Sequence, residues 1–86
     1  MDVMRLNDLP PREAALIRVI DWTALKAGEA RRMRELGFDE GVRVETLHRG
    51  PMGMDPIACR VGRMTIALRR KTAAAVSVEP FPMAAE

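Results

Sequence analysis

A small closed β-barrel of five strands, with one α-helix between the first and second, is predicted by three observations on this chain of 86 residues. Short runs of alternating apolar residues recur between glycine- and proline-rich breaks, and a single stretch of helical spacing ends in Leu36-Gly37-Phe38. The chain is also too short for more than one core, since a domain of this size buries about 60–65% of its unfolded surface. Closing the sheet removes edges that so small a domain has no spare elements to cover. A mainly β, SH3-like barrel satisfies all three.

Leu6 and Leu9 precede Pro10-Pro11, which stops any helix and feeds an extended segment. Residues 14–20 form strand 1, with Ile17 and Val19 on one face and Leu16, Arg18 and Ile20 on the other. Asp21 and Thr23 are side chains able to accept from the free amides of the helix that follows. Within that helix Ala30, Met33 and Leu36 make the apolar stripe, leaving Arg31, Arg32, Arg34 and Glu35 to solvent. Gly37 supplies the left-handed residue that ends it, and Phe38 folds back onto the same face.

Val42, Val44 and Thr46 alternate with Arg43, Glu45 and Leu47 as strand 2. Residues 50–56 hold two glycines and two prolines and are expected to form a long loop with almost no regular pairing. Ile57, Cys59 and Val61 (strand 3) and Met64, Ile66 and Leu68 (strand 4) flank Gly62-Arg63 as a hairpin. Residues 72–74 allow one helical turn before Val76 and Val78 begin strand 5. A single domain over residues 1–80 and a flexible tail over 81–86 complete the plan.

Composition narrows the function. Net charge is only +2, and stacking aromatics are almost absent, with two Phe, one Trp and no Tyr, so nucleic acid is not an expected partner. Twelve of the 14 basic residues are arginines, which favour planar, bidentate contacts to carboxylates or phosphates. Ser77 is the sole serine, His48 the sole histidine, and no GxxxxGK[ST] loop occurs, so no enzyme is expected. One cysteine excludes an internal disulfide and suits the cytoplasm; no apolar run reaches the roughly 20 residues needed for direct membrane insertion.

A transition metal would have to use His48, Cys59, Asp55 and the thioethers of Met52 and Met54. Their spacing matches no metal template, so no cofactor is expected and His48 and Cys59 stand only as the weak metal candidates. Cys59 shares an apolar strand face with Ile57 and Val61 and reads as a core residue.

The order Arg32, Leu36-Gly37, Gly41-Val42, Val44, Pro51, Gly53, Asp55-Pro56-Ile57 and Leu68-Arg69-Arg70 resembles the FeoA domain of bacterial ferrous iron transport. In two places the chain departs from that pattern: Arg12 and Glu13 stand where the family often has a glycine, and Met54 separates Gly53 from Asp55. The resemblance implies a cytosolic accessory protein that acts by contact with the cytoplasmic part of a FeoB-like GTPase transporter. On that implication the partner-binding residues are Pro51, Met52, Gly53, Asp55 and Pro56 in the loop and Arg69, Arg70 and Lys71 at the strand end. The alternative is a metal-responsive regulatory SH3-like module, and free strand edges leave a homodimer open.

Overall fold

The computed structural model describes residues 4–52 and 55–81, with the side chains of residues 49–52 left out of the description. The chain forms β1 (Met4–Arg5), β2 (Ala14–Ile20), α1 (Ala27–Glu35), β3 (Arg43–Met52), β4 (Asp55–Val61), β5 (Met64–Leu68), α2 (Arg70–Ala73) and β6 (Val76–Pro80). Short 3-10 turns at Leu6–Asp8 and Trp22–Ala24 precede β2 and α1. All pairings are antiparallel, in one six-stranded sheet of order β1-β6-β2-β3-β4-β5.

The sheet curls around one core, because strands from its two ends supply the same cluster. Val76 and Val78 of β6 and Ile57 and Cys59 of β4 belong to one buried cluster, which also holds Ile17, Val44, Met33 and Phe38. The 3-10 turn carrying Leu6 contacts α2, and α2 contacts β4, so these two short elements bridge the gap between the ends. Six strands replace the five expected. The additional strand, β1, is two residues long and lacks the alternation that would mark it in the sequence.

The helix ends as its sequence dictates. Gly37 takes φ 96°, its amide donates to the Arg34 carbonyl, and the Phe38 amide donates to the Met33 carbonyl, a Schellman closure that seats Phe38 in the core. The helix start differs from expectation. Asp21 caps the 3-10 turn instead, accepting from the Thr23 amide at 3.2 Å and the Thr23 hydroxyl at 2.6 Å. The helix begins at Ala27, where the Glu29 carboxylate reaches back to the Lys26 amide at 3.2 Å.

Two register shifts alter the expected faces. Ile17 pairs with Val78 and Val19 with Ser77, so Arg18 is the extra residue of a bulge. The bulge flips the strand's phase, so Val19 is exposed and Ile20 turns inward. A second shift lies between Thr46 and His48.

The long loop expected over residues 50–56 is instead mostly ribbon. β3 runs on to Met52, which pairs with Asp55, and Pro51 and Pro56 both fall where the register between Arg49 and Met52 is irregular. A proline interrupts a ladder only where it must donate, and an irregular stretch releases it from that demand. Phe81, placed in the tail by sequence, is pinned: its amide donates to the Ala14 carbonyl at 3.2 Å and its ring lies 5.6 Å from the Arg43 guanidinium. The rest of the tail lies outside the described residues.

Candidate docking groove

The apolar stripe of α1 does not fill all the space beneath it. Between the helix and the junction of β5 with α2 lies a groove of about 220 Å³ lined by Glu29, Arg32, Met33, Leu36, Ala67, Leu68, Arg69 and Thr72. Met33, Leu36 and Leu68 give it an apolar floor, and Arg32 and Arg69, both exposed, stand on its rim. A second depression of about 160 Å³ adjoins it, sharing Glu29, Arg69 and Thr72 and adding Lys26 and Lys71.

One carboxylate organises this region. Glu29 accepts from the Lys26 amide through Oε1 and from the Thr72 hydroxyl through Oε2 at 3.3 Å, linking the start of α1 to α2. Among the described residues Arg18–Glu79 is the ion pair present, at 3.4 Å, and it lies elsewhere, on β2 and β6. The guanidiniums of Arg32 and Arg69 are thus left for an outside carboxylate, the bidentate recognition to which arginine is suited. Arg34 is used differently, resting 4.4 Å from the centre of the Trp22 ring.

The residues singled out by sequence fall into three sets. Arg69, Arg70 and Lys71 are exposed, Arg69 and Lys71 beside the groove. Asp55 is drawn to them: its Oδ1 accepts from the Arg70 amide at 2.8 Å, so the tip of the β3–β4 ribbon and the basic strand end form one surface. Pro56 follows through a cis peptide and is exposed. Of the others, Gly53 and Met54 lie outside the described residues, as do the side chains of Pro51 and Met52. His48 and Cys59 are not brought together. His48 is exposed, whereas Cys59 is fully buried and its thiol is pushed up to about 11 by burial, the opposite of a ready thiolate ligand. No cluster of three or more His, Cys, Asp or Glu suited to a metal ion exists among the described residues.

Sequence reasoning missed Glu29 and Ala67 as groove residues and left Arg32 to solvent. Arg32 had a signal, its place in the resemblance; Glu29 had only its position three residues after Lys26, the spacing of a capping carboxylate.

The comparisons with known proteins agree with this architecture. The FeoA domain model matches residues 4–80. The structure of Stenotrophomonas maltophilia FeoA complexed with zinc, described as a procaryotic SH3 domain protein, is similar at 39% identity and TM-score 0.72, over 88% of this chain and 89% of that one. Iron(II) transport protein A from Clostridium thermocellum is similar at 30% identity and TM-score 0.79, over 90% of this chain and 45% of that one. A manganese-dependent transcriptional repressor shares the fold at 17% identity and TM-score 0.76, over 92% of this chain and 42% of that one. No curated protein matches the chain in sequence. A match spanning nearly every element from β1 to β6, on a barrel of the same build, settles the family: the chain belongs to the FeoA-domain family.

Proposed function

We propose that this protein is a cytosolic accessory of bacterial ferrous iron uptake, acting by contact with the cytoplasmic part of a FeoB-like GTPase transporter. The observation that carries this reading is the FeoA-domain match over residues 4–80, since membership of that family implies a role in ferrous iron transport. The Stenotrophomonas maltophilia relative is itself described as a candidate ferrous iron transport activating factor. The physical chemistry supports contact rather than catalysis: an apolar floor, with rim arginines that have no ion-pair partner among the described residues, suits a protein carrying carboxylates. No helix among the described residues is long and apolar enough to cross a membrane, so the transporter brings the bilayer and this chain brings a surface.

Titration of the protein against the soluble GTPase domain and against the intact transporter tests the reading. Saturable binding that weakens in Arg69→Glu is expected; absence of binding to both overturns it.

A second reading, a metal-responsive module, draws on the zinc held by that same relative. Zinc and ferrous titrations followed by calorimetry, repeated on His48→Ala, test it. A stoichiometric heat lost in the variant favours sensing, and indifference to metal removes it.

A further inference from the structure

We infer that the outer edge of β5 is a strand-addition site, on which an extended acidic and apolar segment of a partner protein pairs along the groove beside α1. This rests on the proposed action by contact and adds where, and in what conformation, the partner is held.

The hairpin fixes which backbone groups are free. β4 and β5 are joined by the two-residue loop Gly62-Arg63, with Gly62 at φ 60° in the first central position, as a type II′ turn requires. The closing pair of such a loop, Val61 and Met64, exchanges hydrogen bonds, and alternate pairs beyond it do not. Thr65 and Ala67 therefore turn their N–H and C=O groups away from β4. Nothing receives them: β5 is the last strand of the sheet, and none of its backbone groups pairs outside the β4 ladder among the described residues.

The groove opens at the C-terminal end of that edge. Ala67 and Leu68 both line it, although consecutive strand residues point to opposite faces. Leu68 ends β5 and Arg69 and Thr72 also line the cavity, so it reaches the C-terminal end of the strand on the side that β4 does not occupy.

Native edges are blunted by charge, proline or bulges, and Met64–Leu68 has none of these. Its cations lie just beyond its ends and across the groove, at Arg63, Arg69 and Arg32, and they outnumber the one carboxylate of the lining, Glu29, whose oxygens already accept from the Lys26 amide and the Thr72 hydroxyl. Charge selects the occupant. An antiparallel second copy centred on Ile66 would set Arg63 of one chain opposite Arg69 of the other, a repulsive pairing. A segment alternating carboxylates with aliphatic side chains meets the rim arginines on one face and Met33, Leu36 and Leu68 on the other.

The test is titration of the isotope-labelled protein with a synthetic peptide alternating valine and glutamate over about eight residues, long enough for one strand, read by amide shifts and hydrogen exchange. Shifts concentrated at Thr65, Ala67 and Arg69, with slowed exchange of the Thr65 and Ala67 amides, are expected. Ala67→Pro deletes one outward amide without breaking a β4 ladder bond and should weaken binding by about 5-fold or more. Arg32→Gln and Arg69→Gln, both at exposed positions, should each weaken it by about 2- to 5-fold and flatten its salt dependence.

Absence of shifts at millimolar peptide, shifts elsewhere, or equal affinity of Ala67→Pro overturns the inference. So does a dimer dissolved by Ala67→Pro, which would give the edge to a second copy. Repeating the titration with the transporter's GTPase domain separates the two proposals. Wild type and Ala67→Pro binding it alike removes the edge and keeps the partner, whereas failure of both to bind it, beside a positive peptide titration, removes the partner and keeps the edge.

Discussion

Asp55 Oδ1 accepts a hydrogen bond from the Arg70 amide at 2.8 Å, joining residues 15 positions apart. The bond satisfies an amide in the first turn of α2, a helix of 4 residues that cannot satisfy it internally. The carboxylate proposed for docking at the Asp-Pro tip therefore already has a structural task. Asp55→Ala should cost about 1 kcal/mol, the usual loss for a capping acceptor, and Asp55→Asn, which keeps an acceptor, should cost less. Denaturant midpoints at unchanged m-value measure both.

The Thr46 hydroxyl is buried in the barrel with no hydrogen-bond partner among the described residues, directly across from Cys59. A buried hydroxyl left without a partner costs about 1–3 kcal/mol. Thr46→Val keeps the branched shape and removes the polar atom, so it should raise the melting temperature, by an amount corresponding to about 1 kcal/mol. Calorimetry of the two proteins checks the sign.

Arg12 adopts φ 68° before β2, in the Arg12-Glu13 stretch where the resembled family often has a glycine. A side chain there costs about 1–2 kcal/mol, partly offset for glycine by its greater freedom in the unfolded chain. Arg12→Gly is expected to stabilise by about 0.5 kcal/mol and Arg12→Ile to destabilise by about 1 kcal/mol or more. Chemical denaturation of the three proteins ranks them.

Burial raises the Cys59 thiol from 9.0 to about 11. The folded state thus keeps a proton that the unfolded chain releases, and this contribution is intact below pH 9 and lost as pH rises through about 11. Across that window stability should fall by about 1.4 kcal/mol per pH unit from this group. Cys59→Ala should flatten the slope, at a lower overall stability from the lost volume. Native protein should also resist a thiol reagent at pH 8 until denaturant is added.

Local signals were readable where cause and effect lie within a turn of chain. Leu36-Gly37-Phe38 announced both the helix end and the inward Phe38, and Gly62-Arg63 announced the hairpin. What escaped were relationships set by distant partners. The bulge at Arg18 exists because β6 pairs on either side of it, and it takes Val19 off the face it was expected to share with Ile17 and puts Ile20 there instead. The prolines at 51 and 56 read as loop because nothing local reveals that the pairing there is irregular enough to admit them. For the site, Arg69–Lys71 stood out as a charge run, but Arg32 and Ala67 join it only through the packing of α1 beside β5.

Glu29 has a consequence beyond holding its helix. By receiving hydrogen bonds from the Lys26 amide just ahead of α1 and from the Thr72 hydroxyl of α2, it ties the groove's two walls together in the folded chain. For the proposed partner the opening is already shaped, so little ordering cost is expected on binding, with association governed by collision and charge steering. Discrimination then rests on width and charge, in the manner of a gauge rather than a clamp.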